Sequence, residues 1–320
     1  MSAGEAWHLL ADSYSRWSAD RASRIAAALS FSITFAAAPL LIVGMTIAGW
    51  VLEGESVRAA VIGEVRAVLG LEAAEFVAAV LTGTSEAIGR SGALPPALAL
   101  LVSFFGASNV VGALRAALND IWGVRRHPRS GLVHSLLGTI GERLFYLATA
   151  LSIGLLIIVS LALNTGLAAA IRYSVYFLPA NEWALSVGNY LLSFLITTAV
   201  FAVMFKIIPD VVMAWKDALV GAAVTSILFT FGQFAISLYL ARSSAASVYG
   251  AAGSIVVILL WVYYSMQVFL YGAEFTQVYS DKRGAGIRPS SNAYAVRYDR
   301  LPRLDAEVAE SDSQDSPAQV

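Results

Sequence analysis

Long apolar stretches separated by short charged segments dominate this chain. Charge-free runs cover 25–52, 91–114, 144–171, 183–205, 218–241 and 243–273. Each is longer than the roughly 20 apolar residues that a helix needs to cross a hydrocarbon core about 30 Å thick. The last run is the longest, 31 residues ending at Glu274. None shows the every-second-residue alternation of barrel strands, and an open sheet would leave backbone groups unpaired in lipid. The pattern predicts an all-α, polytopic membrane protein with six transmembrane helices near 25–50, 93–118, 143–165, 183–207, 217–241 and 250–276. With short connections these form one membrane domain over 25–280.

The segments outside these runs have patterns of their own. Residues 1–24 place Trp7, Leu10, Tyr14 and Trp17 at spacings of three and four beside Arg16, Arg21 and Arg24. They read either as an interfacial helix on the cytoplasmic leaflet or as a helix docked on the bundle. Residues 53–90 carry Val57, Val61, Val65, Val68 and Leu69, then Phe76, Val80 and Leu81, near helical period. This predicts two amphipathic helices over the outer mouth, as a packed cap or a lid. From 281 to 320 the chain turns to Gly, Ser, Pro, Asp and Glu and reads as a disordered cytoplasmic tail.

Charge adds orientation. Of the 21 basic residues, 16 fall in the N-terminal segment, around the second and fourth connections and in the C-terminal tail, on one side of the predicted bundle. That bias puts both termini in the cytoplasm. Six charges within the first 24 residues argue against a cleaved signal peptide. The absence of cysteine excludes disulfides, thiolate metal sites and cysteine nucleophiles.

Particular residues then invite comparison. The first span runs from Ala26-Ala27-Ala28-Leu29-Ser30-Phe31 to Pro39, the second ends at Asn119-Asp120-Ile121-Trp122, and the fourth at Phe205-Lys206-Ile207-Ile208-Pro209. The last two carry Tyr239, Tyr249-Gly250, Trp261 and Gly272-Ala273-Glu274. Together they resemble the YihY/BrkB family of bacterial inner-membrane proteins, once labelled ribonuclease BN, over residues 10 to 280. The resemblance implies six membrane helices, a multi-pass place in the bacterial inner (plasma) membrane, and family-motif structural roles for Pro39, Asn119, Trp122, Pro209, Tyr239, Tyr249, Gly250, Trp261 and Gly272. It carries no catalytic residues.

The nuclease label meets no chemistry in the residues. Metal-assisted hydrolysis of a phosphodiester needs clustered His and carboxylate ligands to activate water. The three histidines, His8, His127 and His134, form no such run, and the chain has neither a GxxxxGK[ST] loop nor a GxSxG elbow. The expectation is a protein that is not an enzyme, with no cofactor, no metal and no nucleic-acid partner.

Polar groups at membrane depth remain. Asn109, Asn189, Thr197, Thr198, Thr225, Thr230, Gln233 and Gln267 fall inside spans, where they either bond across helices or line a polar path. Ser30, Ser32 and Thr34 stand before Pro39, placed to satisfy carbonyls that the proline frees. At the cytoplasmic helix ends Arg115, Arg143, Lys206, Lys216, Asp217 and Glu274 are predicted at similar depth. They read either as positive-inside bias with ordinary salt bridges or as a headgroup-binding ring for anionic phospholipid, with Glu274 paired to Arg143 or Lys206.

Two functions follow, with a membrane-embedded enzyme third. The first is a transporter or permeability factor for lipids or other amphiphiles, with membrane lipids as partners. The second is a non-transporting scaffold for envelope assembly, docking an envelope protein through the outer connection.

Overall fold

The computed structural model describes residues 3–51, 94–127, 141–146, 182–242 and 253–296, with helical positions also at 59, 62, 63, 78, 82, 138, 148, 149 and 152. The chain is mostly helical. Among the described residues the main helices are α1 Ala3–Ala19, α2 Ala22–Val51, α3 Leu94–Ile121, α4 Glu182–Ile207, α5 Trp215–Arg242 and α6 Gly253–Arg283. A shorter helical stretch at 141–146 packs beside α3, where the Tyr146 ring covers Gly112. Most of the predicted outer segment 53–90, most of the third predicted span, and Tyr249 and Gly250 lie outside the described residues.

Helix α6 is the organising element. It packs against α1, α2 and α5 and touches α3, while α2 also packs on α3 and α4 on α5. The half of α6 from Val268 to Ser280 is enclosed: Phe269, Leu270, Ala273, Thr276, Val278 and Ser280 are all buried. Aromatic rings tie the neighbours to it. Phe205 of α4 stacks on Phe269 at 5.2 Å, and Trp122, just beyond α3, meets Phe205 edge-on and donates its indole N–H to the Ala273 carbonyl at 3.1 Å. Such ring pairs add roughly 0.5–1.5 kcal/mol beyond the area they bury.

Close approach of α5 and α6 depends on glycine. Gly221 on α5 faces Thr276, and Gly272 on α6 faces Thr225, so each helix offers a notch to the other's threonine. A third notch, Gly232, receives the ring of Tyr264, whose hydroxyl donates to the Leu228 carbonyl at 3.1 Å. Small residues let helix backbones approach this closely, a packing mode common where lipid supplies no hydrophobic drive.

The outer faces are apolar. Phe31 and Phe35 on α2, Leu191 and Leu195 on α4, and Ile227, Phe231 and Phe234 on α5 are all exposed. Among the described residues one stretch, Trp215–Ala235, is long and apolar enough to cross a membrane by length and composition. Only 33% of it is buried, whereas the core helix of a water-soluble domain is mostly enclosed.

At one end, here called the base, α1, the turn into α2, the last turns of α3, α4 and α6, and the start of α5 converge. Two short antiparallel sheets lie there. β1 (Val124–Arg126) pairs with β4 (Ala293–Ala295), Val124 opposite Ala295, and β2 (Val211–Val212) pairs with β3 (Arg288–Pro289), Val211 opposite Pro289. For residues 281–296 the expectation of disorder is therefore corrected, and the rest of the expected tail, 297–320, lies outside the described residues. α6 continues to Arg283, and residues 284–296 strap the α3 terminus to the α4–α5 connection. Gly123 and Gly286 make this possible with φ of 62° and 74°, a backbone region that side chains bearing a Cβ disfavour. The strap is held by backbone pairing and by burial of Ala293, signals too short to register as periodicity in a Gly/Ser/Pro-rich segment.

α1 docks along α6. Leu9 is buried with Phe275 and Val278, the Tyr271 hydroxyl donates to the Leu10 carbonyl at 3.0 Å, and Arg16–Asp281, Arg283–Glu5 and Lys282–Asp12 pair across the seam. Trp7 and Tyr14 face outward. Of the two readings of this segment, docking on the bundle is the one the contacts describe.

Candidate functional site

The base holds a buried ionic cluster centred on Asp210. This residue follows Pro209, where the chain leaves α4, and is only 4% exposed. Arg115, from the last two turns of α3, grips it with Nε on Oδ2 at 2.8 Å and with Nη2 on Oδ1. Asn119, one turn further on, donates from Nδ2 to Oδ2 at 2.8 Å and accepts the Asp210 backbone N–H at 2.9 Å, so it reads side chain and main chain together. Arg126 of β1 approaches at 3.3 Å and also pairs with Glu142. The Asp210 carbonyl accepts the Ser290 N–H of the strap at 2.9 Å.

The cluster is neutral by formal count, two guanidinium groups against two carboxylates. Burial alone would raise the Asp210 carboxyl, but hydrogen bonds from Arg115 and Asn119 and the charges of Arg115 and Arg126 outweigh it and hold it below the usual carboxylate range. The Arg115 guanidinium also lies over the rings of Phe145 and Tyr146, at 5.2 and 5.6 Å.

The six residues predicted as a ring are divided among separate neighbourhoods. Arg115 belongs to the Asp210 cluster. Arg143 donates to Asn109 Oδ1 at 3.0 Å, on an exposed face of α3 turned away from that of the buried Arg115. Lys206 donates to the Met213 carbonyl and lies over the Trp215 ring at 5.8 Å. Lys216 is exposed. Asp217, in the first turn of α5, accepts the Ser280 hydroxyl at 2.7 Å and the Ala285 N–H at 3.3 Å, tying α5 to the end of α6.

Glu274 corrects the predicted pairing with Arg143 or Lys206. Its side chain is fully buried, no N–H or hydroxyl group donates to either carboxyl oxygen, and the Asp20 carboxyl lies within hydrogen-bonding reach. The charged groups facing it are Asp20 and Arg16, from the turn between α1 and α2 and from the last turn of α1. Sequence position fixes the depth of the carboxyl along α6 and not the side of the helix it occupies.

The family-motif residues are mostly structural joints. Asn119 and Trp122 make the bonds given above, Pro209 is buried beside Asp210, Gly272 admits Thr225, and Trp261 meets Phe229 edge-on at 5.9 Å. Pro39 and Tyr239 lie within α2 and α5. The hydroxyls of Ser30, Ser32 and Thr34 bond the carbonyls of Ala27, Ala28 and Ser30, one turn short of the Phe35 carbonyl that Pro39 leaves without its amide. Thr225 and Thr230 likewise bond back to their own helix, at Gly221 and Ser226.

Four polar atoms on four helices behave differently. Ser108 Oγ on α3, Thr198 Oγ1 on α4, Ser226 Oγ on α5 and Gln267 Oε1 on α6 are buried without a hydrogen-bond partner. Counting about 1.5 Å of rise per residue from the base ends of their helices, and from the Ala273 level on α6, they lie roughly 9–20 Å into the bundle. Among the described residues no three His, Cys, Asp or Glu side chains are grouped to hold a metal ion. His127 packs on the Tyr294 ring at 5.1 Å.

Sequence comparison now bears on this arrangement. The family described as "Virulence factor BrkB" matches over residues 13–296, which takes in every helix and strand above apart from the first turns of α1. Curated relatives named "UPF0761 membrane protein" include one from Psychromonas ingrahamii, 36% identical over 40% of this chain and 43% of its own length. Another, from Chlorobium chlorochromatii, is 30% identical over 68% of this chain and 47% of its own length. A third, from Chromobacterium violaceum, is 28% identical over 90% of this chain and 66% of its own length. The chain spans less than two thirds of the length of the first relatives it matches. No solved structure matches it. With a match that covers the helical bundle, the strap and the Asp210 cluster, the chain belongs to the Virulence factor BrkB family and is an integral membrane protein.

Proposed function

We propose that this protein is a transporter or permeability factor for lipids or related amphiphiles in the bacterial inner membrane. In this reading six helices span the membrane, with the base and both termini in the cytoplasm. The observation that carries it is the set of four buried, unpartnered polar atoms on Ser108, Thr198, Ser226 and Gln267. A buried polar atom without a partner costs about 1–3 kcal/mol. Four such atoms, one from each of four helices and near the middle of a ~30 Å core, are what a transient polar ligand or water would satisfy. The apolar outer faces suit acyl chains, and the bases at the base end suit an anionic headgroup.

The scaffold reading has an observation of its own. Arg115, Lys206 and Asp217 are engaged with protein partners, and the α5–α6 seam is closed by the Gly221–Thr276 and Gly272–Thr225 contacts. Any path therefore lies away from those contacts, on the faces that carry Ser108, Thr198, Ser226 and Gln267. Reconstitution into liposomes with labelled anionic phospholipid separates the readings. Transport predicts faster movement between leaflets than in protein-free vesicles; the scaffold predicts equal rates.

A further inference from the structure

The Glu274 carboxyl has no role in the polar set above. It sits under the turn that joins α1 to α2, buried completely, with no donor on either oxygen. Nearby hydroxyls on α6 are spent elsewhere: that of Thr276 on the Gly272 carbonyl at 2.7 Å and that of Tyr271 on the Leu10 carbonyl at 3.0 Å. A charged carboxylate stripped of water and left without a partner costs several kcal/mol, so a group of this kind is neutralised in place.

The charges around it do not supply that neutralisation. Arg16 faces Glu274, but its guanidinium is bound to Asp281 at 3.1 Å. The other facing group is Asp20, a second carboxyl. On α5, Asp217 is bound to Ser280, and Arg24 at the start of α2 is exposed. Two carboxyls turned toward each other are joined only by a cation placed between them. Two further features flank Asp20 in the chain. Trp17, between Arg16 and Asp20 on the same face of α1, holds a buried indole N–H with no acceptor. Arg21, next to Asp20, has a φ of 52°, a conformation that costs a side chain of this size and fixes the turn over α6.

We propose that Glu274 and Asp20 form a binding site for a monovalent cation, a proton or a sodium ion, reached from the exposed Asp20 and closed by the buried Glu274. The cation bridges the two carboxyls, and Trp17 donates to the water or carboxyl oxygen that completes the site. Binding of this kind joins α1 to α6 and stands apart from the transport reading, because it concerns occupancy alone.

Infrared difference spectra of the purified full-length protein in detergent test it. If the occupant is a proton, a protonated-carboxyl stretch is present in the neutral pH range regardless of sodium, is lost in Glu274→Gln and shifts in Asp20→Asn. If it is sodium, replacing choline by sodium at fixed pH shifts carboxylate bands, and both variants abolish the shift. Either result supports the site and names its occupant. Spectra that do not depend on Glu274, or on sodium or pH, overturn it. Should Glu274→Gln fail to fold, Asp20→Asn on the exposed turn carries the test: an unchanged spectrum there overturns the proposal.

Discussion

Arg115 and Asp210, 95 residues apart in sequence, meet in a two-pronged ion pair at the junction of α3 and α4. The pair couples three connections at once, because Arg126 of β1 and Ser290 of the strap reach the same aspartate. Removing one member leaves the other as a buried unpaired charge, which typically costs 3–5 kcal/mol. Asp210→Ala, which strands Arg115 and takes one partner each from Arg126 and Asn119, is therefore expected to lower the detergent melting temperature more than Arg115→Ala, which leaves Asp210 with two of its donors. Equal melting temperatures for the two variants would contradict this.

The same pair sets an acid limit. The Asp210 carboxyl is held below its ordinary value in the folded protein. Its stabilising contribution is complete above the unfolded-chain value, about 3.9, and is lost as pH falls through the lower folded value. Wild type should therefore show a steeper loss of stability below about pH 4 than Asp210→Asn, which has no proton to take up. Parallel acid limbs for the two proteins would argue that the cluster contributes nothing to it.

The reciprocal notches between α5 and α6 make a packing prediction. A Cβ on residue 272 would meet Thr225, whose Cβ stands 2.9 Å and Cγ2 3.0 Å away. Gly272→Ala is expected to cost about 1–3 kcal/mol by overpacking. Adding Thr225→Ala removes the hydroxyl and methyl but leaves the Cβ, so part of the loss should be recovered. Additive losses in the double variant would mean the two residues do not share the contact.

The strap should matter to stability. Ending the chain after Arg283 removes β3, β4, the Ser290 bond to Asp210 and the Ala285 bond to Asp217. It also uncovers the buried side chains of Val124 and Val211. Thermal unfolding of this truncated protein is expected to begin at a clearly lower temperature than that of the full chain. An unchanged melting curve would show that the strap rides on the base without holding it.

Much of the helical architecture was legible from the apolar runs: five of the six overlap α2, α3, α4, α5 and α6. The site was less so. Asp210 lay in plain sight after Pro209, between Lys206 and Lys216, yet its partners come from α3 and from β1, and nothing in linear spacing joins them. Glu274 stands out in the sequence as an acid at the end of an apolar run, but its neighbours Asp20 and Arg16 do not, since sequence gives its depth and not its azimuth around α6. Asp20 and Trp17 became visible only when the turn between α1 and α2 folded over it.

The most direct test of the account is the rate at which labelled anionic phospholipid crosses between leaflets in vesicles containing wild type or Thr198→Val/Gln267→Leu. Loss of polar contacts worth about 1–1.5 kcal/mol predicts a fall of about tenfold in a protein that still folds and inserts. Wild-type vesicles that move lipid no faster than empty ones, or a double variant as fast as wild type, would contradict the claim that these buried polar atoms form the path.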